Sequence, residues 1–153
     1  MYLDPETNEK YIPYVIESTY GLDRTVLALL FNAYEEETLE DGTTREVLKI
    51  HPYLAPYKVN VLPLIKKVHS EKAVEIYNML SKYFMTSYDE SGNIGKRYRR
   101  ADVIGTPYSI TIDDDTLKNG TVTIRERDSM KQKTLKIEEI KEYIQNKIEL
   151  DRK

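Results

Sequence analysis

The chain has 153 residues, is 40% hydrophobic and 32% charged, and carries a net charge of −3. That length leaves room for one domain of ordinary size with an appendage. Cysteine is absent, which removes disulfide and thiolate chemistry, and the two histidines, His51 and His69, are too few and too far apart for a multi-histidine metal site. The longest apolar run, Val26 to Phe31, is too short to span a bilayer, and no secretory signal precedes it, so a cytoplasmic protein without a membrane partner is expected. Net negative charge repels nucleic acid at long range, so binding of that kind has to come from a local patch.

Residues 1–10 are polar and read as a loop, and residues 11–16, with Ile12, Val15 and Ile16, read as a short strand broken by Pro13. The next stretch is helical and apolar nearly all round, with Leu22, Val26, Leu27, Leu29, Leu30 and Phe31, a pattern built for burial. Nothing before it is large enough to bury it, so it is expected to dock on the following domain or to pair with a second copy. Residues 35–44 are acidic, with Asp41-Gly42 as a reversal, and read as a linker. From Arg45 onward strands and helices alternate.

Residues 46–50 form a candidate strand, and residues 58–65, with Val59, Val61, Leu62 and Leu64, read as a buried one. Ala73, Ile76, Tyr77, Leu80 and Phe84 recur at helix spacing over residues 71–84, with Ser70 as N-cap. Residues 85–88 are a short strand, and Tyr108, Ile110 and Ile112 alternate with polar residues in another. Asn119-Gly120 signals a hairpin into residues 121–127, where Val122 and Ile124 share one face and Arg125 and Arg127 the other. A strand over 134–137 and a closing helix over 138–150 complete the order β-α-β-α-β-β-β-α. The fold class is α/β: a mixed sheet of about five strands flanked by about three helices, preceded by a strand-helix unit.

The stretch from Tyr88 to Tyr108, YDESGNIGKRYRRADVIGTPY, is the most particular in the chain. It opens on a turn and closes on Gly-Thr-Pro, with a short helix between. At roughly 100° per residue, Lys96, Arg97, Arg99 and Arg100 fall on one arc and Ile94, Tyr98 and Ala101 on the opposite one. Cations this close repel one another, which points to an anionic partner such as a phosphate backbone, against the plainer reading of a solubilising surface helix.

Three separated runs, LAPYKVNVLPL, YDESGNIGKRYRRADVIGTPYSITID and NGTVTIRERD, together resemble the C-terminal anticodon-binding domain of class IIa aminoacyl-tRNA synthetases, the homodimeric glycine enzymes above all. The resemblance covers about residues 45–150. Upstream, VIESTYGLDR resembles class II motif 3, in which Gly21, Leu22, Asp23 and Arg24 take positions that bind ATP in the family. Glu17 matches the glutamate used for the glycine ammonium group, and Ser18 or Thr19 supplies the neighbouring hydroxyl. The resemblance therefore implies residues 1–40 as the tail of a catalytic domain and 41–153 as an anticodon-binding domain. It implies ATP with magnesium as cofactors of a full-length homodimer and glycine tRNA, not DNA, as partner.

Motifs 1 and 2 are missing, so no complete catalytic set is present, and the fragment is expected to bind tRNA without catalysis or a cofactor of its own. On this reading Arg97, Arg99 and Arg100 face RNA, Lys96 assists, and Arg125 and Arg127 are weaker candidates, with Glu126 and Asp128 as acceptors for a base amino group. A salt-bridged outer strand face is the plainer account of those strand charges. Two other functions compete with this one. A magnesium-dependent enzyme built on Asp113, Asp114 and Asp115 is disfavoured because aspartate is common before turns. A protein-docking module reusing the fold stays open.

Overall fold

A computed structural model describes residues 1–149. The N-terminal residues form a small antiparallel hairpin, β1 (Tyr2–Leu3) with β2 (Lys10–Tyr11), where the sequence suggests a loop. The strand expected over residues 11–16 is therefore confined to its first residue. Pro13 lacks a donor, and residues 12–20 have no paired neighbour. Helix α1 (Leu22–Ala33) forms where expected, yet it is not buried. Leu22 is 76% exposed and Phe31 76%, and only Ala33 is covered, so within this chain the helix does not dock on the sheet.

The acidic stretch is not a linker. Tyr34–Thr38 (β3) pairs antiparallel with Thr44–Leu48 (β4), and the chain passes from α1 into β3 without an intervening residue. Glutamates disfavour strands, but here their charge is answered: Lys49 Nζ lies 2.7 Å from Glu35 and 2.6 Å from Glu37, and Arg45 Nη1 lies 3.0 Å from Glu37. A division at residue 40 passes through this hairpin.

The main sheet has the order β6-β5-β7-β8-β9, built from Val59–Pro63 (β5), Thr86–Tyr88 (β6), Tyr108–Ile112 (β7), Thr121–Glu126 (β8) and Gln132–Lys136 (β9). β5 is parallel to β6 and β7, and the β7, β8 and β9 pairings are antiparallel. Helices α2 (Lys66–Leu80) and α5 (Ile140–Ile148) cover one face, where Val59, Val61, Ile110, Ile112, Val122 and Ile124 meet Ala73, Ile76, Leu80, Ile140 and Ile144 in a dry core. Helix α3 (Ile94–Val103) lies on the other face: its Tyr98 hydroxyl meets Thr111 Oγ1 of β7 at 2.5 Å.

The helices differ in places from the sequence reading. α2 starts at Lys66 and not after Ser70, because His69 Nδ1 accepts the Ile65 N–H at 3.0 Å and so caps the first turn from within. With Nδ1 accepting, Nε2 carries the hydrogen and donates to Asp114 Oδ1 at 3.0 Å. Asn119-Gly120 does not make a two-residue hairpin. Asp113 caps a short helix α4 (Asp114–Asn119) by accepting from Thr116 N–H, and Gly120 closes it at φ +67°, so the three aspartates initiate a helix. The closing helix begins with a 3₁₀ turn over Ile137–Glu139 and runs to Ile148; residue 150 of its expected span lies outside the described residues.

Candidate nucleic-acid interface

The basic helix is shorter of free cations than its sequence suggests. Asn93 caps it, accepting the Lys96 N–H at 2.9 Å. Arg97, Ala101 and Asp102 face inward, while Lys96 and Arg100 face solvent and Arg99 is half-buried. Arg97 sits at the edge of the arc assigned to its neighbours, and the sheet claims it: it is 4% exposed and donates to Pro63 O, at the end of β5, and to Gly92 O at 2.6 Å. Its guanidinium thus fixes the loop that leads into α3.

Arg125 and Arg127 do lie opposite Val122 and Ile124, but that face is not open. They are 7% and 2% exposed, covered by α3 and the β3–β4 hairpin. Asp102 gathers the charge. It accepts from Arg125 Nη1 at 3.0 Å, Arg125 Nη2 at 3.2 Å and Arg45 Nε at 3.0 Å. The Arg125 guanidinium also stacks 4.7 Å over the Tyr98 ring. Arg45 donates in addition to Arg127 O, and Arg127 to Gly105 O at 2.8 Å and to Asp128 at 2.7 Å. These arginines bolt the hairpin, α3 and β8 into one body. Glu126 is engaged as well, accepting from the Tyr143 hydroxyl at 3.0 Å.

Beside α3 the sheet is left uncovered over β5 and β6, and a cleft of about 540 Å³ opens there. Its floor is polar. Asn60 and Ser87 stand opposite each other on neighbouring parallel strands, and Ser109 of β7 continues the row. Tyr57, Tyr88, Asp89, Arg99 and Arg100 form its walls together with an apolar side of Ala101, Val103 and Ile104. Asn60 Oδ1, Ser87 Oγ and Arg99 Nη1 are buried and have no hydrogen-bond partner. Arg100 is tied down by Asp89, at 2.6 Å from Nη2 and 2.8 Å from Nε.

The loop after β6 is braced by Glu90. It holds Lys66 in an ion pair and accepts from the Tyr88 hydroxyl at 2.8 Å and from Ser70 at 3.1 Å. Lys66 first, then Tyr88, lower the Glu90 carboxyl to about 2. Burial raises the Tyr88 phenol.

Asn60, Ser87 and Tyr57 are absent from the sequence-based set. The signal for Asn60 is present in hindsight: an amide in the middle of VNVLP, a strand buried at every position, is out of place unless it has work to do.

The upstream residues form no comparable site. Glu17, Ser18 and Thr19 are exposed in a segment without regular structure, and Gly21, Leu22, Asp23 and Arg24 are exposed at the start of α1. Gly21 is the N-cap, so the open N–H groups of the first turn and the Arg24 guanidinium suit one anionic group. Nothing around them completes an ATP site, and no cluster of His, Asp or Glu among the described residues could hold a metal ion.

A five-stranded mixed sheet with two parallel crossovers on opposite faces, closed by an antiparallel strand pair and a helix, defines an α/β domain with helices on both faces of one sheet. The RNA-binding domain of threonyl-tRNA synthetase from Cryptosporidium parvum Iowa II has a similar fold, with a TM-score of 0.60 over 76% of this chain and 35% of that one, at 21% identity. Residues 58–147 match the model of the anticodon binding domain family, and the chain belongs to that family. It is 60% identical over 148 residues to a glycine-tRNA ligase of Clostridium tetani, and 56% identical over 147 residues to that of Geobacillus kaustophilus. These alignments take in 97% and 96% of the chain, which spans about a third, 32%, of the length of each relative.

Proposed function

We propose that this chain is the anticodon-reading part of a glycine-tRNA ligase, an enzyme that joins glycine to its tRNA with ATP and magnesium. The observation that carries the reading is the 60% identity to such a ligase across 97% of the chain. The residues through α1 would then be the tail of the catalytic domain, with the β3–β4 hairpin held to the anticodon-binding body, and the exposed leucines of α1 would be covered by the rest of the catalytic domain in a cytoplasmic homodimer. In that setting Arg24 and the first turn of α1 would hold ATP, and Glu17 with Ser18 or Thr19 would hold glycine. The rest of the catalytic machinery would come from outside this chain, which would bind tRNA without charging it.

Lys96 and Arg100 are the exposed cations of α3 for the anticodon loop, with Arg99 half-buried at the cleft beside them, since phosphate contacts position an RNA and base contacts specify it. Arg97, Arg125 and Arg127 would act from behind, by holding α3 and β8 in place. The test is binding of glycine tRNA to the full chain at low and moderate salt, against a tRNA with an altered anticodon. Binding that falls with salt and with the anticodon change supports the reading, and equal binding of both tRNAs refutes it.

A protein-docking role is the second reading. It is favoured by a separate cleft of about 710 Å³ lined by Tyr53, Tyr83, Phe84 and Met85, two of which are more than half exposed aromatic rings. Apolar docking there would be nearly insensitive to salt, which separates the two.

A further inference from the structure

We propose that the cleft between β6 and α3 is a pocket for one unpaired nucleobase, read at its edge by Asn60 and Ser87 and held by Arg99. The inference rests on the anticodon-reading role and assigns that role to particular side chains. Asn60 is 3% exposed, and its Oδ1 has no partner although Ser87 faces it across the strand pair. A buried donor or acceptor left unmade is costly, and native folds keep few of them. Here Asn60 Oδ1, Ser87 Oγ and Arg99 Nη1 are all without partners and all line one cleft. Their chemistry restricts the occupant.

Asn60 Oδ1 accepts only and needs a donor, which a phosphate group does not have. Arg99 donates only and needs an acceptor, which an apolar side chain does not have. A nucleobase edge offers donors and acceptors side by side, and the Tyr57 ring, 38% exposed on the cleft wall, offers a face for stacking. Asp89 occupies Arg100 at the same wall, so the interior is not a purely cationic trap for phosphate. The site therefore selects by hydrogen-bond pattern, and the free cations outside it select for charge alone.

The experiment uses the full chain and short RNA hairpins carrying a glycine anticodon loop, with each anticodon base changed singly. Dissociation constants are measured by fluorescence anisotropy for the wild type, Ser87→Ala, Asn60→Asp and Lys96→Ala. The wild type should lose roughly tenfold or more in affinity when the base in this pocket is changed. Ser87→Ala and Asn60→Asp should shrink that penalty severalfold at one anticodon position and leave the penalties at the others intact. Lys96→Ala should weaken all hairpins alike.

Ser87 Oγ makes no bond in the free protein, so Ser87→Ala should melt at the wild-type temperature or above, which separates lost recognition from lost folding. If both cleft variants bind the full hairpin set with wild-type ratios, the pocket assignment is wrong while anticodon reading stands. If the wild type binds no hairpin at low salt, the anticodon reading itself fails and the pocket assignment falls with it.

Discussion

Asp102→Asn is the most direct probe of how this domain is held together. Asp102 is 1% exposed and accepts three hydrogen bonds from two arginines, Arg45 at 3.0 Å and Arg125 at 3.0 and 3.2 Å. Bonds to charged partners contribute about 1.5–3 kcal/mol each, so three set a ceiling of roughly 4.5–9 kcal/mol. Asparagine keeps the shape and one acceptor oxygen. What it removes is the counter-charge: Arg45 keeps Glu37 at 3.0 Å, whereas Arg125 is left buried with the Tyr98 ring alone. Breaking a buried pair from one side costs about 3–5 kcal/mol, and that is the expected loss.

Stabilities of domains this size are about 5–15 kcal/mol, so the loss is large but measurable. Urea unfolding followed by far-ultraviolet circular dichroism reads it, with an unchanged m-value showing that the fold is retained. Replacing Asp102, Arg45 and Arg125 together with apolar residues of similar volume should recover most of the loss, because the penalty comes from unpaired charge. A loss below about 1 kcal/mol for Asp102→Asn would refute the reasoning, since it would mean that water reaches the arginines.

Gly105→Ala should destabilise by roughly 2 kcal/mol or more, because φ is +79° and the new Cβ would lie 2.9 Å from Ile50 Cγ2 and 3.1 Å from Leu48 O. A thermal melt checks this, and an unshifted midpoint would show that the hairpin can back away from α3. Glu90 gives a pH prediction. Its folded value, about 2, lies below the ordinary 4.5, so its contribution is complete above about pH 4.5 and is lost as pH falls toward 2. Glu90→Gln should flatten the urea midpoint across that window; an unchanged acid slope would mean that other carboxylates govern it. With two exposed cations on α3, Lys96 and Arg100, the slope of log affinity against log salt for the anticodon hairpin should be about −1.4 or shallower, taking roughly −0.7 per neutralised phosphate of single-stranded RNA. A much steeper slope would place the RNA on cations elsewhere.

The main sheet was legible because its signals are local: alternation in β7 and β8, a continuous apolar run in β5, and helix spacing in α2 and α5. What was not legible depends on partners distant in sequence. β3 reads as an acidic turn until Arg45 and Lys49 are seen to neutralise its glutamates. The start of α2 depends on His69, whose capping role is written neither in its spacing nor in its neighbours. Asn119-Gly120 is a turn signal in any context, and only the preceding Asp113–Thr116 capping pair shows that the turn closes a helix.

The arginines show the limit of reading charge from a helical wheel. Arg97 and Arg100 lie on nearby arcs of α3, yet one binds carbonyls under the helix and the other reaches Asp89 in the open. A guanidinium has five donors, and a face on which carbonyls and carboxylates converge uses them better than water does, provided that every donor is met. Arg45 spends its donors on Asp102, Glu37 and Arg127 O, Arg125 on both oxygens of Asp102, and Arg127 on Gly105 O and Asp128. The consequence for recognition follows from the arithmetic of charge. Most of the arginines that make the sequence look like an RNA-binding surface are spent on rigidity, and the chain as a whole is anionic at −3. Long-range attraction is therefore weak, and discrimination has to reside in short-range contacts on a stiff frame, where a pocket displaced by 1 Å would no longer match a base edge.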